Sequence, residues 1–204
     1  MSIKGVGSLE YSAGAVSKGF WFQEFKKYNE LLSRGFKDQE IKKMQEEENF
    51  LMAPSEDYGK KMINEVSKRT RALPKEIYTM FTNLPISDQK ILNTLGLMMT
   101  DRLFFEYMYE VYREKIITGN LQFDNSDTRI FLKNKSEQSE KVSNFTSQTK
   151  KRLTGAYRTY LKEANLLVED KGLSIIKKPI LDINLEKEMR NKDLYPFLRV
   201  FLGE

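Results

Sequence analysis

SNFTSQTKKRLTGAYRTYLKEANLLVEDKGLSIIKKP, residues Ser143 to Pro179, is the stretch on which the reading of the fold turns. Thr146 or Ser147 supplies a helix start, because a short side-chain oxygen accepts a hydrogen bond from an otherwise unpaired first-turn N–H. From there Leu153, Ala156, Tyr157, Tyr160, Leu161 and Ala164 recur at the spacing of one buried helix face. The opposite stripe holds Lys151, Gly155, Arg158 and Lys162, with Gln148, Thr149, Lys150 and Arg152 near the start. Asn165 ends the helix. Leu166 to Val168 reads as a strand, Glu169 to Gly172 as a turn, and Leu173 to Ile176 as the returning strand before Lys177, Lys178 and Pro179. A basic helix followed directly by a hairpin is the order of recognition helix and wing in a winged helix-turn-helix.

Charge singles out the same region. Residues 1–124 carry 18 Lys+Arg and 18 Asp+Glu, whereas residues 125–204 carry 16 and 11, so the whole net charge of +5 lies in the second part. Six basic and no acidic residues occur from Lys141 to Lys162. Such a strip is the footprint of a phosphate-backbone binder, which gains affinity by releasing counterions. A basic helix face is also commonly nothing more than a solvated face. The hairpin and Gly155 tip the reading towards nucleic acid. A mid-helix glycine costs roughly 1 kcal/mol relative to alanine, and close approach of a backbone or phosphate is one reason to keep it.

Composition removes several classes of chemistry. The 204 residues include no cysteine and no histidine. No disulfide framework, thiolate nucleophile or histidine-dependent triad is therefore available. The spacing S-x-x-K occurs at Ser87–Lys90, Ser147–Lys150 and Ser174–Lys177. The first two serines fall at helix starts, where serine caps, and the third pair falls in a strand, where side chains two faces apart cannot cooperate. No phosphate loop, cofactor motif or clear metal constellation is present. No apolar run reaches the roughly 18–20 residues of a membrane span, and no signal segment is visible, so the chain reads as a cytoplasmic, non-enzymatic protein.

Working outward, residues 1–13 read as an extended or loosely ordered leader. Helices are expected over about 14–33, 37–48 and 56–72, with a short one from Pro74 to Phe81. Residues 88–117 read as one long, heavily buried central helix, with Gly96 permitting close packing or a bend. Lys68-Arg69-Thr70-Arg71 ends the third helix, where cations favour the macrodipole. Residues 121–127 form a loop before a short helix through Lys133, and Lys135 to Phe145 fits the helix and turn before a recognition helix. Asp182 to Leu202 reads as a weak helix broken near Pro196. The expected organisation is a helical bundle over residues 1–124 and a basic winged-helix region over 125–204, whose last helix packs back on the core.

Four blocks carry a likeness to a known family: Tyr11-Ser12-Ala13-Gly14, Glu47-Glu48-Asn49-Phe50-Leu51, Lys68-Arg69-Thr70-Arg71-Ala72-Leu73-Pro74, and Thr149 to Leu153 leading to Tyr160 to Leu167. In order, character and chain length the sequence resembles the BrxA family of BREX (bacteriophage exclusion) defence systems. The resemblance implies a mainly α protein related to helical nucleic-acid binders such as the antitermination factor NusB, with a winged-helix portion that binds DNA. It also implies other BREX proteins as partners: a methyltransferase, a phosphatase-like protein and an ATPase. It supplies no functional residues, so those come from helix geometry. Lys151, Arg158 and Lys162 are expected to face the phosphates of double-stranded DNA, flanked by Lys150 and Arg152. Gln148 and Thr149 are placed to reach base edges, and Lys171, Lys177 and Lys178 of the wing to touch an adjacent groove. Two rivals stand beside this reading: an adaptor whose basic face meets an acidic partner protein, and an RNA binder.

Overall fold

Local signals set most of the helix starts. Ser55 accepts the Tyr58 N–H, Asp124 and Asp127 form a reciprocal capping box, and Thr146 accepts the Thr149 N–H at 3.1 Å. The structure, a computed structural model, describes residues 6–204. In chain order these comprise a 3₁₀ turn over Gly14–Ser17, α1 (Phe22–Ser33), α2 (Asp38–Glu48), α3 (Glu56–Ala72), α4 (Lys75–Thr79) and a 3₁₀ turn over Phe81–Asn83. There follow α5 (Ile86–Thr100), α6 (Arg102–Tyr107), a π-helical turn over Met108–Tyr112 and α7 (Arg113–Thr118). The second part holds α8 (Asn125–Gln138), α9 (Glu140–Ser143), α10 (Ser147–Glu163), the strands β1 (Leu167–Asp170) and β2 (Leu173–Ile176), then α11 (Ile183–Asn191) and α12 (Tyr195–Leu202). The protein is mainly helical with one small antiparallel sheet among the described residues. Buried side chains from Val6 to Phe201 join in one continuous apolar cluster.

The first helix is shorter than its periodicity suggests. Residues 14–33 are interrupted at Trp21, which adopts the left-handed conformation (φ 50°, ψ 50°). The cause lies in another helix. Arg69, fully buried in α3, donates to the Phe20 carbonyl at 2.6 Å, the Gly19 carbonyl at 2.8 Å and Asn93 Oδ1 of α5 at 3.3 Å. Asn93 Nδ2 donates to the same Phe20 carbonyl at 2.7 Å. The Phe20 carbonyl, which already accepts from both Arg69 and Asn93, has no lone pair left for a helical N–H, and the chain turns out of helical geometry there. The Lys68–Arg71 cluster is thus not chiefly a helix-end charge effect: Arg69 is an internal anchor, while Lys68 and Arg71 are exposed.

The segment from 88 to 117 is not one helix. Its first half, α5, is buried on nearly its whole circumference from Ile91 to Met98. Asp101 then becomes extended (φ −136°) and caps α6 by accepting the Phe104 N–H at 3.1 Å. Gly96 gives the close packing expected of it. A Cβ there would stand 2.9 Å from the Arg69 carbonyl oxygen, so α3 and α5 approach backbone to backbone. The leader is pinned rather than loose where it is described, residues 1–5 lying outside the described residues. Val6 is buried, and the Tyr11 hydroxyl donates to Glu106 at 2.8 Å. Glu106 also accepts from Arg102 Nε at 2.8 Å and pairs with Lys135 of α8 at 2.7 Å. Burial alone would raise the Glu106 carboxyl, but hydrogen bonds from Lys135, Arg102 and Tyr11 outweigh it and hold its pKa below the usual range.

In the second part, α8 runs to Gln138, beyond the expected stop at Lys133, and the short α9 precedes α10. Lys171 and Gly172 alone make the hairpin turn. Both have positive φ (49° and 80°), the two-residue geometry that matches strand twist, so Glu169 and Asp170 belong to β1 instead of the turn. The expected loop at 121–127 contains a third extended segment: Gln122 bridges Ile175, with the Phe123 N–H on the Ser174 carbonyl and the Ile176 N–H on the Leu121 carbonyl. The C-terminal helix is two helices. They part at Lys192 to Leu194, where Asp193 has φ 56°, and Pro196 sits in the first turn of α12, where it lacks no helical bond. No helix is long and apolar enough to cross a membrane among the described residues.

Two substitutions test this framework. Gly96→Ala forces α3 away from α5 and is expected to destabilise by about 1–3 kcal/mol. Arg69→Met orphans the Gly19 carbonyl and Asn93 Oδ1, while the Phe20 carbonyl keeps its bond from Asn93, and is expected to cost roughly 1–3 kcal/mol for each group left unpaired. Urea unfolding midpoints of the two variants, read against the wild-type chain, measure both. Wild-type midpoints would mean that Arg69 and the close α3–α5 approach do not anchor the fold.

Candidate nucleic-acid interface

The buried face of α10 follows its sequence periodicity. Leu153, Tyr157, Tyr160 and Leu161 enter the core, where Tyr157 meets Tyr107 at 4.7 Å and Phe104 at 5.3 Å between ring centroids. The Tyr160 hydroxyl donates to the Lys18 carbonyl at 2.6 Å. These contacts fix which side of α10 faces solvent, and hence where its cations stand.

Between α8 and α10 lies a groove of about 720 Å³. Arg129 and Lys133 rise from α8, Lys150 and Lys151 from α10, and Leu132, Thr154 and Gly155 form the floor between them. No acidic side chain lines it. Lys133 and Lys151 have no ionic partner among the described residues; Lys150 reaches only the Ser143 carbonyl at 3.5 Å, and Arg129 lies 4.0 Å from the well-exposed Asp124. Such long surface pairs contribute little and leave the charge available. Gly155 opens onto this groove, and a Cβ built there would meet no atom within 4 Å. Packing within the chain therefore gives no reason for a glycine at this position.

The remaining cations of the stripe are engaged. Arg158 donates to Glu169 Oε1 of β1 at 3.1 Å, to Asn125 Oδ1 at 3.3 Å and to the Ser174 hydroxyl. Lys162 pairs with the same Glu169 oxygen at 2.6 Å. The Lys162 and Ser174 hydrogen bonds hold the Glu169 carboxyl below its ordinary pKa. Of the Lys151–Arg158–Lys162 stripe, Lys151 is therefore open in the free protein, and the other two share one carboxylate. Arg152 turns the other way and donates to the Val16 carbonyl at 3.2 Å. Gln148 is exposed, and Thr149 exchanges a hydroxyl contact with the cap Thr146 at 2.9 Å. Lys171 stands at the hairpin tip, and Lys177 and Lys178 are exposed beyond β2, all outside the groove.

Arg129 and Lys133 were missed by the sequence reading, which weighed only the helix before the hairpin. Their signal was available, because an i,i+4 pair of cations on a helix shares one face. Lys135, counted among the basic excess, is the converse case. It is buried, and Glu106 and Glu110 neutralise it. Among the described residues no cluster of carboxylates is arranged to hold a metal ion.

The fold is shared with a solved protein of uncharacterised role from Magnetospirillum magneticum, with a TM-score of 0.76 at 13% identity over 96% of this chain and 100% of that one. A protein named BREX protein BrxA, from Bacillus cereus strain H3081.97, is 32% identical over 194 residues, which span 95% of this chain and 97% of that protein. The BrxA family model matches residues 9–193. With nearly the whole length matched both by the family model and by that relative, the chain belongs to the BrxA family.

Proposed function

We propose that this chain is a non-enzymatic DNA-binding component of BREX phage defence, working with other BREX proteins and engaging duplex DNA chiefly through its phosphates. The observation that carries the reading is the α8–α10 groove, where four cations lacking close ionic partners converge with no acidic residue between them. Family membership supports the defence role. A winged helix-turn-helix reading of residues 125–204 draws support from element order: extended segment, α8, α9, α10, then a hairpin whose second strand pairs back with that first segment. In this reading the NusB-like helical bundle of residues 1–124 carries the basic unit. Lys150, Lys151, Arg129 and Lys133 hold phosphates, Gly155 lets the backbone come close, and Lys171 reaches out from the wing. With few side chains placed to read base edges, sequence preference is weak.

The apolar floor of the groove favours a second reading, in which an acidic segment of a BREX partner docks there. DNA retention by the purified chain separates the two: a duplex binder retains DNA as a single protein, and an adaptor does not.

Replacing Arg129, Lys133, Lys150 and Lys151 together by Glu is expected to abolish duplex retention while leaving the circular dichroism spectrum and melting temperature near wild type. Wild-type binding is expected to weaken steeply with salt, with a log–log slope of about −0.9 per phosphate contacted. Retained binding in the folded quadruple variant overturns the assignment. Gly155→Ala separates stability from binding. Without steric conflict inside the chain it is expected to stabilise by about 0.5–1 kcal/mol, yet to weaken the duplex complex, as anisotropy titration against thermal melts reads directly.

A further inference from the structure

Glu169 is the residue of the hairpin that faces the cations of α10. Three donors converge on its carboxylate: Lys162 Nζ at 2.6 Å, Arg158 Nη2 at 3.1 Å and the Ser174 hydroxyl at 3.0–3.1 Å. A guanidinium, an ammonium and a hydroxyl aimed at one anionic oxygen pair make the donor set of a phosphodiester site. The carboxylate supplies one negative charge, as a backbone phosphate does, so the two are interchangeable in charge.

The hairpin does not need this contact to hold its place. Leu167 and Ile176 bury its base, the β1–β2 ladder closes it, and the Lys177 N–H donates to the Leu166 carbonyl at 2.9 Å. Glu169 itself is nearly half exposed, as is Lys162, so the side chain can leave for water without disturbing the backbone. If it leaves, Arg158 remains oriented by Asn125, which also lines the α8–α10 groove, and by Ser174. The donor set would stay assembled and become continuous with the four groove cations.

We propose that Arg158, Lys162 and Ser174 form a phosphodiester subsite that Glu169 occupies as an internal stand-in, and that a nucleic-acid backbone phosphate displaces Glu169 on binding. The proposal rests on the duplex-binding reading above. It makes Glu169 a built-in competitor: it lowers affinity for any polyanion and keeps Arg158 and Lys162 ordered in the free protein. Exchange is easy because exposed ion pairs are weak and the incoming phosphate restores the pairing.

The test is anisotropy titration of a short labelled duplex with Glu169→Gln, which keeps the side-chain shape and removes the charge. Binding about two- to fivefold tighter than wild type is expected, the release of a surface pair. Asp170→Asn, one residue away, exposed and with no side-chain partner among the described residues, is expected to change affinity little. On an Arg158→Ala/Lys162→Ala background, Glu169→Gln is expected to bring no gain. Equal or weaker binding by Glu169→Gln overturns the stand-in and makes Glu169 a positioning residue for Arg158. An equal gain from Asp170→Asn, or a gain that persists without Arg158 and Lys162, also overturns it, reducing the effect to overall charge. Wild-type chain that retains no duplex sinks the DNA reading together with this subsite, whereas wild-type binding without a Glu169→Gln gain sinks the subsite alone. Inorganic phosphate added as competitor separates the sources of the anion. A recognition site for backbone phosphate in a duplex loses little to the free ion at moderate ionic strength, and preferential capture of the free ion overturns the assignment to nucleic acid.

Discussion

A single guanidinium, buried without a carboxylate in hydrogen-bond contact, holds the molecule together. The two terminal nitrogens of Arg69 donate to two backbone carbonyls and an asparagine, which ties α3, α5 and the segment before α1 into one unit. Burial pushes its pKa below that of a free arginine, as expected of a cation removed from water. Satisfying it dictates the local conformation around it: Trp21 turns left-handed, its ring lies 5.6 Å from the guanidinium carbon, and α5 presents Gly96 where a larger residue would collide. The effect reaches the second part of the chain. The residues just before Gly19 meet α10, through the Tyr160 hydroxyl on the Lys18 carbonyl and Arg152 on the Val16 carbonyl. The loop that Arg69 shapes is therefore also the seat of the basic helix.

Electrostatic partition then decides which cations face water unpaired. The second part of the chain has more basic than acidic residues, yet many of its cations are consumed inside the protein. Lys135 is taken by Glu106 and Glu110, Arg190 by Glu186, and Arg158 with Lys162 by Glu169. Of those left without a close acidic partner, Arg129, Lys133, Lys150 and Lys151 gather on the facing sides of α8 and α10, while Lys171, Lys177 and Lys178 stand at the hairpin tip or beyond β2. Net charge alone is a poor guide to an interface; the subset of charges left without partners is a better one. The groove's floor adds a separate property. Leu132, Thr154 and an unshielded Gly155 offer close, partly apolar contact below the charged rim, which a plain solvated helix face lacks.

The likeness to the Magnetospirillum protein at 13% identity indicates that this arrangement of helices tolerates wide change in side chains. That tolerance is expected of a core built from apolar volume, with a few polar anchors at points where backbones must approach. The Glu106 cluster is one such anchor. It binds the N-terminal segment, α6 and α8 to one another through Tyr11, Arg102 and Lys135.

Sequence by itself determined what depends on neighbours a few residues away. The buried face of α10, a cap at Thr146 or Ser147, a helix stop near Asn165 and a turn closing at Gly172 all follow from helix periodicity, capping chemistry and the backbone preferences of glycine, whereas strand pairing narrows that turn to Lys171 and Gly172. Lys150, Lys151 and Gly155 were legible as parts of an exposed basic stripe for the same reason. Tertiary structure decided everything that needs a distant partner. Apolar periodicity runs unbroken through Trp21 and Asp101, so only the demand of Arg69 for carbonyls, and the capping role of the half-buried Asp101, reveal that the helices stop there. Whether Arg158 and Lys162 are open or held, and that Arg129 and Lys133 stand opposite Lys150 and Lys151, depends on β1 and α8 folding against α10. A side chain's charge is written in the sequence, but whether that charge is already neutralised is a property of the space around it.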